Sequence, residues 1–146
     1  MADSGAIQAQ GTLLKMGDGA SPENFTTIAE VRDITGPTLS RKSNDVTPID
    51  AIFEQILAGG VARLGSLTFV IGYIPGSATH NITTGLVYKW KNNIKTNFKL
   101  IFTNDVAGSA TYLFEAWVLK VEPVTKVDGD VTANVEIKLT GTPTLV

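Results

Sequence analysis

The chain has 146 residues, 43% of them apolar and 18% charged, with a formal charge of −2 and no cysteine. That length suits one domain with a substantial core rather than two. The missing cysteine excludes disulfides, thiolate metal sites and a cysteine nucleophile, and the weak negative charge lacks the basic footprint of a duplex-DNA binder.

Residues 1–10, MADSGAIQAQ, are small and polar and carry neither the basic start nor the apolar run of a secretory signal. They are expected to form a flexible N-terminal arm ahead of a single β-domain over residues 11–146. No stretch approaches the roughly 20 apolar residues of a membrane span, so no membrane partner is expected.

Gly11 to Met16 reads as a strand, followed by turn chemistry at Gly17-Asp18-Gly19 and a loop through Ser21-Pro22. Phe25 to Ile34 is a second strand, in which Ile28, Val31 and Ile34 break alternation and predict a bulge or a change of face. Gly36-Pro37 stops it. The clearest helical pattern follows, with Thr47 as cap, Pro48 at the first helical position, and Ile49, Ile52, Phe53, Ile56 and Leu57 in one apolar stripe. Gly59-Gly60 would end that helix. Residues 35–63 thus form a long structured excursion between strands, a place where contacts concentrate.

Leu64 to Ile74 predicts a central strand, apolar on both faces. A second helix is expected from about Ile82, capped by Asn81, with Ile82, Leu86 and Trp90 on one side and Gly85 weakening it. Ile94 to Thr103 points Phe98, Leu100 and Phe102 inward and Lys95, Asn97 and Lys99 outward, with a hairpin turn at Asn104-Asp105 and Gly108. Thr111 to Val121 is a long strand, Asp128-Gly129 a strong turn, and Val131, Ala133, Val135, Ile137 and Leu139 alternate strictly with Thr132, Asn134, Glu136, Lys138 and Thr140. The fold class is mainly β: an antiparallel β-sandwich or partly open barrel with one or two flanking α-helices.

Catalytic chemistry is hard to place on these residues. The single histidine, His80, lies in a loop with no G-x-S-x-G nucleophile elbow anywhere in the chain. Gly17-Asp18-Gly19 and Asp128-Gly129-Asp130 lack the further carboxylates of a calcium loop and read as turns. Lys89, Trp90, Lys91, Lys95 and Lys99 form a basic cluster that reads as a solvated face. No catalytic, cofactor or metal residue is nominated. Strands such as Thr111 to Val121 carry little edge protection, and joining edges between copies in a closed ring would supply it.

The segments "GTLLKMGDG", Pro22-Glu23-Asn24-Phe25 leading into "IAEVRDITGP", "DVTPID", "GSLTFVIGYIP", "YLFEAWVLKVEPV" and "VTANVEIKLTGTP" occur in order along nearly the whole chain. In this order and spacing the chain resembles the tail tube proteins of long, flexible-tailed, lambda-like bacteriophages. The resemblance implies a β-sandwich with a flanking helix, assembled in the bacterial host cytoplasm into stacked homohexameric rings of a virion tail. The tube would enclose a tape-measure protein, meet tail terminator and tail-tip proteins at its ends, and later pass viral DNA without specific binding.

For this chain the resemblance implies that the excursion contacts neighbours in its own or the next ring, which nominates Arg41, Lys42, Asn44, Asp45 and Arg63 as inter-subunit residues. The arm would order on stacking, so deleting Met1 to Ala9 is expected to weaken it. A conduit's lumen should be neutral or negative, and Thr132, Asn134, Glu136 and Lys138, or Lys95, Asn97 and Lys99, are candidates for the lumen or for solvent. Two departures stand out: Arg63 lies where relatives often carry an acidic residue, and no immunoglobulin-like domain follows Val146, so surface decoration is not expected. Two other classes stay open at the level of residues: a monomeric β-sandwich module binding carbohydrate or a host protein through Trp90 or Trp117, and an enzyme.

Overall fold

A computed structural model describes residues 10–102 and 110–145. The strictly alternating C-terminal segment forms β9 (Thr132–Leu145), burying Ala133, Val135, Ile137 and Leu139 and turning Asn134 and Lys138 outward. Period-two patterning fixes which face is buried, because a one-residue slip would turn every apolar side chain to solvent. Around β9 are β1 (Leu13–Gly17), β2 (Phe25–Thr27), β3 (Val31–Thr35), β6 (Ser66–Gly72), β7 (Thr96–Phe102) and β8 (Ala110–Val124). They form one antiparallel sheet in the order β2-β1-β7-β8-β9-β6-β3.

The two long strands hold two halves of this sheet together. Residues 110–116 of β8 pair with β7, whereas its later part, Trp117 to Val124, pairs with β9 alone. In turn β9 gives Thr132 to Lys138 to β6. Residues from both ends of the sheet, Leu14 and Met16 of β1 and Phe69 and Ile71 of β6, share one core cluster with Phe98, Leu100 and Phe114. A sheet can bury a single face in this way only by folding over on itself. Register shifts at Leu113/Glu115 and Val118/Lys120 lie where the long strands bend. The sheet is not closed into a barrel, since β2 and β3 stand at its two ends.

The stretch from Phe25 to Ile34 divides into two strands. Glu30 has φ 58°, and the turn it makes sends β2 to pair with β1 and β3 to pair with β6, at opposite margins. The expected change of face is thus a change of layer, with Ile28 buried at the crossing. The turn at residues 127–129 falls where Asp128-Gly129 predicts it. The expected turn at Asn104, Asp105 and Gly108, and the arm over residues 1–9, lie outside the described residues.

The helix expected from Thr47 does not form. Its place is taken by a two-stranded ribbon of β4 (Leu39–Asp45) and β5 (Ile56–Leu64), closed by a loop over residues 46–55. Thr47, expected to cap a helix, instead accepts a hydrogen bond across the loop from the Gln55 amide at 2.8 Å, while its own amide donates to Asp45 at 3.0 Å. An apolar stripe makes a helix only where a surface covers it, and a helix this short has little stability of its own. Nothing among the described residues covers Ile49, Ile52 or Phe53, and β-pairing of the flanks wins.

The second expected helix is shorter than its pattern. The Asn81 carboxamide oxygen accepts from the Thr83, Thr84 and Gly85 amides at 3.2, 2.7 and 2.9 Å, holding a turn, and α1 runs only over Leu86–Lys91. Leu86 is buried, but Trp90 is 53% and Ile82 63% exposed, so the expected stripe covers the core at one position only. Gly85 is there for space: a Cβ would stand 2.4 Å from the Asn81 nitrogen and 2.5 Å from the His80 carbonyl carbon. Gly85→Ala is expected to cost about 1–3 kcal/mol through forced backbone movement. An unchanged urea midpoint would contradict this packing.

Candidate functional site

Two surfaces and one buried group stand out. The first surface is the β4–β5 ribbon. Every residue of β4 is exposed, including the nominated Arg41, Lys42, Asn44 and Asp45, and Arg63 is exposed on β5. Along the loop Ile49, Ile52 and Phe53 are 106%, 92% and 81% exposed, with Val46, Ile56 and Leu57 also exposed. Contiguous apolar groups on a projecting ribbon mark a place meant to be covered. Gly36 (φ 100°) and Gly65 lie at the base, and a Cβ on Gly36 would stand 2.7 Å from the Ser66 carbonyl oxygen.

The second surface is the outward face of β3, β6, β9 and the later part of β8. Register places Thr35, Thr68, Glu136 and Lys120 in one row and Asp33, Val70, Asn134 and Glu122 in the next. The first row and most of the second line a shallow depression of about 280 Å³. Lys120 pairs with Glu122 at 3.2 Å. The margins of this four-stranded half, β3 on one side and β8 from Val118 to Val124 on the other, have no strand partner among the described residues. Unpaired margins of this kind are templates for another chain.

The alternative polar set, Lys95, Asn97 and Lys99, is engaged locally. Lys95 meets Glu115 at 3.5 Å, the Asn97 amide donates to Glu23 at 2.7 Å, and the Lys99 ammonium stands 4.2 Å from the centre of the Phe25 ring.

His80 is fully buried rather than available in a loop. Its Nδ1 accepts from the Ile74 amide at 3.2 Å and its Nε2 donates to the Ala29 carbonyl at 2.8 Å, while the ring stacks on Tyr73. Both ring nitrogens are spent tying the Ile74 loop to the β2–β3 crossing. Sequence reading missed this role; the only hint is a lone histidine among small polar residues.

Asp18 is a turn residue. Its carboxylate accepts from the Ala20 and Asn24 amides at 2.9 and 3.1 Å, and those bonds hold its pKa below the ordinary carboxylate range. Asp45 is lowered by the hydrogen bond from the Thr47 hydroxyl, and Asp130 by its hydrogen bond to the Arg32 guanidinium. A depressed carboxylate contributes stability above its unfolded pKa and loses it as pH falls through the lower folded value. Stability is therefore expected to decline as pH falls below about 4, and Asp18→Asn should flatten that dependence. A variant with the same acid profile would count against the role given to Asp18. No group of three or more metal-ligating side chains occurs among the described residues, and no helix there is long and apolar enough to cross a membrane.

A β-domain with open sheet margins and a projecting apolar ribbon is the form of a structural assembly subunit. A family model for the lambda phage tail tube protein matches residues 9–146, and the chain belongs to that family as a structural protein of a virion's tail. Its fold is similar to the subunit in the tail of an empty gene transfer agent particle refined with C6 symmetry (TM-score 0.74, 15% identity, 97% of this chain and 99% of that one covered). It is also similar to a chain of the six-fold symmetrised baseplate of the anti-feeding prophage (TM-score 0.71, 10% identity, 99% and 97% covered). The SPP1 tail tube protein, described by solid-state NMR and cryo-EM, is a further likeness (TM-score 0.69, 12% identity, 93% and 77% covered). At such identities the likeness is one of fold. No curated protein gave a significant match to the sequence.

Proposed function

We propose that this chain forms stacked six-membered rings whose lumen is walled by the outward face of β3, β6, β9 and the later part of β8. The observation that carries the reading is the pair of unpaired margins on that four-stranded half, which identical copies can join edge to edge into a closed barrel. Six-fold symmetry comes from the similar gene transfer agent tail.

Charge supports the choice of face. Asp33, Glu122, Glu136 and Asp130 outnumber Lys120, Lys138 and Arg32 by one there, with Arg32 lying over Gly72 and paired to Asp130, and the nominated Thr132, Asn134, Glu136 and Lys138 all belong to this face. A slightly acidic wall repels a duplex and lets it slide, whereas Lys95 and Lys99 on the other face are taken up by Glu115 and the Phe25 ring. Arg41, Lys42, Asn44, Asp45 and Arg63 would lie in contacts between copies. A tape-measure protein inside the wall, and terminator and tip proteins at its ends, complete this reading. The role is mechanical rather than catalytic. Electron microscopy of concentrated protein tests it: rings or tubes of uniform diameter are expected, and dispersed monomers under every condition would refute it.

A further inference from the structure

The dipeptide Asp-Gly occurs twice in the chain, at Asp18-Gly19 and Asp128-Gly129, and the fold holds the two differently. The Asp18 carboxylate accepts from two amides, Ala20 and Asn24, and both bonds favour its ionised form. Gly19 stands at φ 77°, in the left-handed region that its turn requires. The Asp128 carboxylate, by contrast, has no hydrogen-bond or ion-pair partner among the described residues. Residues 125–130 are all exposed, and the Gly129 amide makes one long bond, 3.3 Å, to the Lys126 carbonyl. The backbone does not demand a glycine there. Gly129 lies outside the left-handed region, and a Cβ on it would meet the Lys126 Cβ at 3.5 Å and Cδ at 3.9 Å, ordinary contact.

We infer that Asp128 is a site of spontaneous isoaspartate formation, and that its turn protects Asp18 from the same reaction. The Gly129 nitrogen attacks Cγ of the neutral Asp128 carboxyl. A C–N bond forms, the Cγ–OH bond breaks, and the hydroxyl leaves as water with the proton from the nitrogen. The product is a five-membered succinimide. Water then opens the ring: cleavage between Gly129 N and Cγ restores aspartate, whereas cleavage between Gly129 N and the Asp128 main-chain carbonyl carbon leaves the chain running through Cγ. One water is lost and one regained, with no oxidant or reductant. Glycine favours attack because no Cβ crowds the nitrogen. For Asp18 to react, its carboxyl must be protonated and released from two charge-assisted bonds, which are the strong kind.

The isomer adds one atom to the backbone of the turn between β8 and β9. Just beyond it Asp130 pairs with Arg32 of β3, so the added atom shifts that contact. A protein built into a virion's tail is not renewed, and the isomer therefore accumulates with the age of the particle.

Peptide mapping of stored protein tests this without any need for assembly. Trypsin separates the sites into fragments 16–32 and 127–138, and isoaspartate in each is read by isoaspartyl methyltransferase labelling. In folded protein kept in mildly acidic buffer, fragment 127–138 should gain label at least about tenfold faster than 16–32, since two bonds to a charged group guard Asp18. In urea the two should gain it at similar rates. Gly129→Ala should keep the melting temperature and slow labelling of its fragment at least about tenfold. Equal labelling of both fragments in folded protein, or a fragment 127–138 that is labelled in urea alone, would overturn the inference.

Discussion

Ile52→Ser with Phe53→Ser is expected to leave the monomer folded and to abolish its assembly. Both side chains are almost wholly exposed in the isolated chain, so unfolding should change by no more than about 0.5 kcal/mol, as for other surface substitutions. Each buried Ile or Phe contributes roughly 1.5–3 kcal/mol in a contact. Removing both therefore weakens every joint by about 3–6 kcal/mol, on the order of a hundredfold or more in affinity. Sedimentation of wild type and variant at equal concentration measures the difference. A variant that pellets like wild type would show that the ribbon's apolar loop is not an assembly element.

His80→Ala is expected to have the largest effect on folding itself. The substitution strands the Ala29 carbonyl and the Ile74 amide and leaves a cavity beside Tyr73. An unsatisfied buried group costs about 1–3 kcal/mol, and a large-to-small core replacement a further few. A total near 3–5 kcal/mol is a large part of the 5–15 kcal/mol typical of a domain. Urea unfolding should show a much lower midpoint with an unchanged slope. A loss below about 1 kcal/mol would mean that solvent replaces the imidazole and that the β2–β3 crossing does not depend on it.

What the sequence made legible follows from whether a pattern was local. Strict alternation in β9 requires only a neighbour on one face, and each of Ala133, Val135, Ile137 and Leu139 is buried as it predicts. Asp18 reads correctly as a turn because its partners, Ala20 and Asn24, lie within six residues. The stripe from Ile49 to Leu57 misleads for a physical reason: helical spacing of apolar groups reports what could be buried, not where burial occurs. In an assembly protein some apolar groups await another copy, and spacing within one chain cannot distinguish them. Trp90 misleads on a smaller scale, since its place in a helical stripe leaves it exposed on α1.

The surfaces themselves needed three dimensions. Arg41, Arg63 and Pro143 are far apart in sequence, and only the folding of β9 past the ribbon base brings them to one groove. The outward residues of β9 were readable as one polar face. That they share rows with Lys120 of β8 and Thr68 of β6 depends on register, which the bulge at Val118/Lys120 shifts. His80 likewise owes its role to Ala29, fifty-one residues away.

The whole account depends on sheet margins that are completed by another molecule of the same kind. A helical reconstruction of assembled protein, at a resolution that separates strands, addresses this most directly. It should show β3 of each subunit hydrogen-bonded to the Val118–Val124 portion of β8 in its ring neighbour, with Asn134 and Glu136 facing the central channel. Tubes in which those two margins lie apart, or in which that face points to the outside, would contradict it.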